Sequence, residues 1–152
     1  MDIVRTLNLG AGNKIVAEAV NHDISKHRPE IDVVHDLNVL PWPWADGSFD
    51  KIVAWSVFEH LNIDLVASLN ECHRILRTGG GLSLKLPVWN SEGSYDDVTH
   101  RWRFSLRSLD QFCPETDRGR AYGFYTPRHW KYVKAPRMNK AQTSIYATLE
   151  TL

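Results

Sequence analysis

The sequence predicts a single α/β domain built on a mostly parallel sheet, and three observations carry this prediction. Short apolar runs, each about as long as a buried strand, recur along the first 90 residues. The first run ends at a glycine pair, Gly10 and Gly12, as a strand does when it enters a tight turn. A helical stretch then separates the fourth run from the fifth, in the strand–helix–strand order of an α/β sheet.

Composition fits one folded domain and excludes several classes of protein. The chain has 152 residues, with 18 basic and 18 acidic side chains, and is long enough to bury a core. No apolar segment could cross a membrane and the first residues do not resemble a signal peptide, so we expect a cytoplasmic protein without a membrane partner. Cys72 and Cys113 lack the spacing of a zinc site or a disulfide framework, and we expect no metal ligands.

The charges balance over the whole chain but are unevenly distributed along it. The first half is acidic on balance, whereas a run of basic residues without an intervening acid extends from Arg118 to Lys140. We interpret this run as a solvated basic face in preference to an anion-binding surface. A nucleic-acid partner is not expected, because a dedicated nucleic-acid binder would carry a net positive charge.

The stretch from Thr6 to Lys14 organises the rest of the chain. Its apolar part, which closes at Leu9, is typical of a buried parallel strand. Gly10 and Gly12 can adopt backbone angles closed to other residues, and they carry no Cβ atom that would keep a ligand away. Such a turn is either a plain tight turn or the cradle of a nucleotide cofactor at the carboxyl edge of a sheet.

The next two predicted strands each lead to an acid. Too few residues follow Gly12 for a full crossover helix, so we predict a shortened or irregular crossover and a second strand over 19–22. Asp23 ends that strand, where a carboxylate either accepts hydrogen bonds from ribose hydroxyls or merely caps a surface turn. A third strand, over 31–37, carries a second acid, Asp36. The three elements together favour a nucleotide-cofactor cleft.

The fourth strand leads directly to candidate catalytic residues. We predict this strand over 51–56, and Glu59 and His60 follow at its carboxyl end. A histidine is suited to act as a base by its near-neutral pKa, and His100 in the long polar segment further on is a third candidate. The alternatives are that Glu59 and His60 cap the next helix, and that His100 is an ordinary surface residue.

The remaining elements complete the predicted sheet. A helix capped by Asn62 or Asp64 should run to about Arg77 and stop at the glycines 79–81, before a fifth strand over 82–88. A long functional or mobile loop over 89–103 follows, and then a brief helix over 105–112 and another connection over 118–127. The last two strands, over 130–134 and 143–150, can pair only as an antiparallel hairpin.

Together these residues resemble the class I S-adenosylmethionine-dependent methyltransferases, in particular the small methyltransferase type 11 group. Residues 7–12 are similar to the first motif of that family, and 73–80 match its hydrophobic helix followed by Thr-Gly-Gly. The resemblance covers essentially the whole chain, 1–152, as one domain. It implies a Rossmann-like seven-stranded sheet with an antiparallel last strand, in a three-layer sandwich with a shortened first crossover helix.

The resemblance also implies a cofactor and a reaction. The cofactor would be S-adenosyl-L-methionine, whose methyl group passes to a nucleophilic atom of an acceptor, here a small molecule. The residues that match the cofactor-binding positions of the family are Asn8, Gly10, Ala11, Gly12, Asp23, Ile24, Asp36, Leu37 and Ser56.

Two departures from the family pattern leave alternatives open. Asn8 stands where the family usually has an acid, and Lys14 stands where it has a third glycine. The chain is therefore either an active enzyme or a non-catalytic relative that binds cofactor or another protein. In both cases it can form a homo-oligomer or associate with a partner chain that covers the cofactor. A nicotinamide-dependent oxidoreductase is disfavoured, because Ile15 occupies the last glycine position of its fingerprint.

Overall fold

A computed structural model describes residues 3–152, which form one seven-stranded sheet with two α-helices. The strands are β1 (Thr6–Leu9), β2 (Ala19–Asp23), β3 (Val33–Val34), β4 (Phe49–Trp55), β5 (Leu76–Pro87), β6 (Trp130–Met138) and β7 (Ser144–Thr151). The helices are α1 (Leu65–Ile75) and α2 (Asp117–Tyr122). Single turns of 3-10 helix lie at Phe58–His60, Glu92–Ser94, Asp110–Phe112 and Gly123–Tyr125. No helix in this part of the chain is long and apolar enough to cross a membrane.

The sheet is mostly parallel with an antiparallel last strand, as predicted. The strand order is β3-β2-β1-β4-β5-β7-β6, in which the first five strands of the chain run parallel. β7 is antiparallel to both of its neighbours, so β6 and β7 form the expected hairpin. Because β1 lies in the middle of the parallel part, the turn that follows it opens at the centre of the sheet edge where ligands bind in such folds.

Helix α1 follows the predicted signals at its start but not at its end. The Asp64 side chain caps it by accepting a hydrogen bond from the Ala67 backbone N–H at 2.8 Å. The helix ends at Ile75, and the glycines 79–81 lie within β5, so the prediction that they stop the helix was wrong. Leu76 already pairs with Phe49 of β4, and this sheet contact ends the helix early.

Three other predicted boundaries differ from the structure, two of them where side chains bond the backbone. The third strand is only two residues long, since the Asp32 carboxylate accepts the hydrogen bond of the Asn21 N–H (2.8 Å) beside it. The segment predicted as a plain connection at 118–127 contains α2, which the Thr116 hydroxyl caps by accepting from the Gly119 N–H at 2.9 Å. The brief helix predicted up to Phe112 is reduced to one 3-10 turn.

Two buried asparagines fix the first crossover, which contains no helix. Asn8 Nδ2 donates to the Lys14 carbonyl (2.8 Å) and to Asn21 Oδ1 (2.9 Å). Asn21 Oδ1 also accepts from the Val16 N–H, and Asn21 Nδ2 donates to the carbonyls of Val16 and Ala19, at 3.0–3.2 Å. These bonds satisfy the backbone groups that a helix would otherwise pair internally. The crossover is therefore shortened further than predicted, to a loop held by side chains.

The Asn8 amide gives a first testable prediction. Asn8→Asp, which restores the acid usual in the family, should lower the free energy of unfolding by about 2–3 kcal/mol. The new carboxylate would be buried against two acceptor oxygens and would lose both donated hydrogen bonds. Urea denaturation measures the change, and Asn13→Asp, the same substitution at an exposed position of this loop, should cost almost nothing. Equal stabilities of the two variants would contradict the prediction.

Along the central strands, only one of the two faces of the sheet is covered. Buried and less buried residues alternate in β5, where Leu82, Leu84 and Leu86 enter the core while Ser83 and Lys85 do not. The core side chains of α1 and those of 109–113 before α2 belong to the same hydrophobic cluster as these leucines. The first three connections between strands contain no α-helix within the described residues, so no helix from these connections covers the second face of this part of the sheet.

We call this second face the open face, and it consists of the outward residues of β4, β5 and β7. Trp55 at the end of β4 is 45% exposed there, and the Lys14 ammonium lies 5.5 Å from its ring centroid. The other members are Lys51, Val53, Ser83, Lys85, Tyr146, Thr148 and Glu150.

Candidate functional site

A cleft of about 490 Å³ lies at the carboxyl ends of the parallel strands. Gly10 follows β1, Asp23 ends β2 and Ser56 follows β4, so the three strand ends meet at one edge of the sheet. The volume is within the range of small-molecule sites. The residues that line the cleft are Gly10, Gly12, His22, Asp23, Ile24, His35, Asp36, Leu37, Asn38, Ser56, Val57, His60, Leu61 and Thr99.

The glycine turn is bonded to the end of β2. The Gly10 N–H donates to His22 Nδ1 at 3.2 Å, the Ala11 N–H donates to the His22 carbonyl at 2.7 Å, and the Gly12 N–H donates to Asp23 Oδ2 at 2.6 Å. Gly10 and Gly12 both have positive φ, +63° and +54°, which non-glycine residues adopt only under strain. The turn therefore has one defined shape before any ligand binds.

The two predicted acids face the same cleft as the glycine turn. Asp23 is held by the Gly12 N–H and by the Ile24 N–H, which donates to Oδ1 at 2.7 Å. Asp36 Oδ1 accepts from the Asn38 N–H at 2.9 Å, and buried Leu37 contributes an apolar wall. The structure thus brings together six of the predicted cofactor-binding residues around Gly10: Gly12, Asp23, Ile24, Asp36, Leu37 and Ser56.

Two predicted cofactor-binding residues lie outside the lining of the cleft. Both amide hydrogen bonds that Asn8 donates go to the first crossover, so it supports the loop instead of facing a ligand. Ala11 is buried beneath the turn, with 4% of its surface exposed. The Lys14 ammonium lies over Trp55 on the open face, outside the lining of the cleft.

His22 is the most informative residue that the sequence did not indicate. It accepts from the Gly10 N–H through Nδ1, so Nε2 carries the proton and donates to the His35 carbonyl at 2.9 Å. Burial lowers the pKa of His22, which keeps the ring neutral and preserves both bonds. Its position directly before Asp23 at a strand end was the one signal available. His35, Asn38, Val57, Leu61 and Thr99 also line the cleft and were not predicted as site residues.

The three predicted catalytic residues form one cluster beside the cleft. His60 lines the cleft, its ring meets that of His100 edge to face at 4.6 Å, and its Nε2 lies 4.0 Å from Glu59 Oε1. Glu59 is 1% exposed, and burial raises the pKa of its carboxyl to about 7. Burial and the neighbouring His100 lower the pKa of His60. The cluster therefore offers neutral or near-neutral groups at the edge of the cleft.

A hydrogen-bond chain fixes the orientation of the His60 ring. Thr99 Oγ1 lies 2.7 Å from His60 Nδ1 and donates its proton to Asp97 Oδ1 at 2.6 Å. A threonine hydroxyl has a single proton, so Nδ1 must be the donor of the first bond. His60 Nε2 is then the nitrogen with the free lone pair, and it points toward Glu59.

Comparison with known proteins identifies a family. The sequence model of the family described as "Methyltransferase domain" matches residues 7–84, just over half of the chain. No curated protein matches the sequence.

Solved structures share the fold at low sequence identity. An S-adenosylmethionine-dependent methyltransferase of Thermotoga maritima, named as a possible histamine N-methyltransferase, aligns with a TM-score of 0.64 at 18% identity, over 99% of this chain and 83% of that one. An S-adenosylmethionine-dependent methyltransferase of Archaeoglobus fulgidus aligns with a TM-score of 0.65 at 14% identity, over 98% of this chain and 86% of that one. A third similar chain comes from the complex between the Haloferax volcanii Trm112 methyltransferase activator and a candidate methyltransferase. It aligns with a TM-score of 0.63 at 13% identity, over 97% of this chain and 84% of that one.

Proposed function

The chain belongs to the methyltransferase domain family, with the class I fold, and from this premise we propose that it transfers a methyl group from S-adenosyl-L-methionine to a small-molecule acceptor. One observation carries the proposal: Gly10, Asp23 and Asp36, which come from three separate segments, line one cleft. This shared lining supports cofactor binding, which methyl transfer requires.

The residues of the cleft fit the cofactor. The Asp23 carboxylate, held by two backbone N–H groups, is placed to accept hydrogen bonds from the ribose hydroxyls. Asp36 and Leu37 offer a carboxylate and an apolar surface for the adenine. Gly12 has no protein atom within 4 Å of the position of a Cβ atom, so the ligand can approach the backbone there. When bound, the cofactor supplies a methyl group activated by its sulfonium centre.

The acceptor side of the site would be the cluster around His60. Methyl transfer needs the nucleophile aligned with the methyl group, and it needs a base only when the nucleophile must lose a proton. His60 Nε2 has the free lone pair required to take such a proton. We propose Glu59 and His100 as the groups that position His60 and stabilise its charge.

Cofactor binding is the direct test of the proposal. Wild-type protein should bind S-adenosylmethionine and S-adenosylhomocysteine but not NAD in calorimetric titrations. Asp23→Asn removes the charge of the proposed ribose acceptor, and we expect the affinity for both sulfur nucleotides to fall roughly 10- to 100-fold. Asp117→Asn, the same change at an exposed ion pair outside the cleft, should bind as wild type. Absence of binding by the wild type would refute the cofactor assignment.

An alternative form of this proposal is that the chain is active only together with a partner chain. The open face is not covered by a helix of the described residues, so a second copy or a partner chain can be accommodated there. An activator accompanies one of the similar structures, and we extend that arrangement to this chain only as a proposal.

We also propose a cytoplasmic location, because Cys72 and Cys113 are both buried free thiols, as is usual in a reducing compartment.

A further inference from the structure

Three metal-ligand types converge next to the cofactor cleft. One ligand atom from each of Glu59, His60 and His100 lies within 4.8 Å of the other two. Ligand atoms around an ion at the usual distances of about 2.0–2.2 Å lie about 3–4 Å apart. A closure on the order of 1 Å would therefore complete a shell of two imidazoles and one carboxylate. Exposed acids are often grouped without an ion, but here the carboxylate is almost completely buried.

Unpartnered buried atoms in the cluster indicate that a ligand is expected. Glu59 Oε2 and His100 Nδ1 are both buried without a hydrogen-bond partner. His60 Nε2 presents its lone pair toward Glu59 Oε1 at 4.0 Å, too far for a hydrogen bond. Buried polar atoms are almost always paired, and each exception requires an explanation such as a water or an ion. A cation between the three side chains would satisfy all of these atoms at once.

The surroundings of His60 resemble those of an oriented metal ligand. Its Nδ1–H donates to Thr99, and the Thr99 hydroxyl donates to the Asp97 carboxylate. Histidines that bind metals usually donate their other ring N–H to such a partner, which fixes the ring and makes the free nitrogen a better ligand. The chain of Asp97, Thr99 and His60 thus prepares Nε2 for a cation.

We propose that Glu59, His60 and His100 bind a divalent first-row transition-metal ion at the acceptor end of the cleft. Two imidazoles and one carboxylate suit Zn²⁺, Fe²⁺ or Co²⁺, whereas Mg²⁺ and Ca²⁺ prefer all-oxygen sites. The proposal departs from the expectation, based on cysteine spacing, that the chain has no metal ligands. It rests on the proposed function in one respect: the open coordination positions would take an oxygen of the methyl acceptor, which favours a hydroxyl or phenol substrate. With the ion bound, His60 Nε2 is a ligand instead of a base, and the ion takes over the task of lowering the pKa of that oxygen.

Cobalt titration tests the site without any methyl acceptor. Tag-free protein, freed of metal with a chelator, is titrated with Co²⁺ while the visible absorption and the heat of binding are recorded. We expect one ion per chain, its displacement by Zn²⁺, and no competition from Mg²⁺. Glu59→Gln, an isosteric change, should weaken binding at least about 100-fold. Thr99→Val, which removes the orienting hydroxyl, should weaken binding roughly 10- to 100-fold, and Thr99→Ser should restore it.

Control variants separate this proposal from the cofactor assignment. His129→Gln removes a histidine outside the cluster and should bind Co²⁺ as wild type. Asp23→Asn should lose the sulfur nucleotides and keep the metal, whereas Glu59→Gln should keep S-adenosylhomocysteine, because Glu59 does not line the cleft. Circular dichroism confirms that each variant is folded. The metal site is refuted when the wild type shows no saturable binding at one ion per chain, or when folded Glu59→Gln binds Co²⁺ unchanged.

A small oxygen ligand tests the open coordination positions. Acetohydroxamate should shift the visible absorption of the Co²⁺-loaded protein and should not bind the metal-free protein. An unchanged spectrum at saturating acetohydroxamate would show that the ion is fully enclosed by protein, and it would refute the inference that an acceptor oxygen reaches the metal.

Discussion

Gly119→Ala is expected to lower the free energy of unfolding by more than about 4 kcal/mol, a large part of the stability of a typical domain. A Cβ atom at this position would lie 1.9 Å from the Cys113 carbonyl oxygen and 3.0 Å from the Asp110 carbonyl oxygen. The Cys113 oxygen cannot move aside easily, because it accepts a hydrogen bond from the Thr116 N–H at 3.0 Å. The Thr116 hydroxyl also caps α2, so the clash would disrupt the start of that helix.

Urea denaturation of Gly119→Ala and Gly93→Ala measures this effect against a matched control. Gly93 lies in a 3-10 turn, and no atom lies within 4 Å of the place that an alanine Cβ would occupy, so its alanine variant should be neutral or slightly stabilising. Similar midpoints for the two variants would show that the close approach of α2 to 110–113 does not exist in solution.

Gly10→Ala is expected to cost about 2–5 kcal/mol and to abolish binding of the sulfur nucleotides. The residue has a φ of +63°, which costs about 1–2 kcal/mol for alanine. Its Cβ atom would also lie 2.6 Å from Val57 Cγ2, and overpacking of this kind typically adds about 1–3 kcal/mol. Val57 is 7% exposed and lines the cleft, so the displacement would deform the wall that faces the ligand.

Gly12→Ala is the control that separates backbone strain from steric clash. Gly12 has a similar φ, +54°, but no protein atom within 4 Å of a Cβ atom, so its alanine variant should lose only about 1–2 kcal/mol. Denaturation and calorimetry on both variants complete the comparison. Equal losses of stability would contradict the close contact between Gly10 and Val57.

The positions of the parallel strands along the chain could be predicted from the sequence, because each is a short apolar run with a distinct end. Leu7 to Leu9 ends at glycine, and β2 ends at Asp23, where the chain must turn. Boundaries set by tertiary contacts could not be predicted in this way. The early end of α1 depends on the pairing of Leu76 with Phe49, two residues far apart in the chain, and no local signal reveals it.

The candidate site was predictable where backbone conformation demands a residue type and unpredictable where side chains meet across loops. Gly10 and Gly12 were recognisable because few residues tolerate their conformation. Thr99 was not, because it reaches His60 from a segment 39 positions later in the chain. The hydrogen bonds of Asn8 were unpredictable for a related reason: its partners, Asn21 and the Lys14 carbonyl, follow from the folded path of the first crossover.

The open face has a thermodynamic consequence for the whole chain. The heat-capacity change of unfolding grows with the apolar surface that becomes hydrated, and an ordinary domain of 152 residues would show about 1.8–2.3 kcal/mol/K. The apolar side chains of Trp55, Val53 and Tyr146 are already partly exposed in the folded sheet, so less hydrocarbon surface is newly exposed when it melts. The heat-capacity change should accordingly fall below that range. The stability of this protein then varies less between cold and warm conditions than that of a sheet enclosed on both sides.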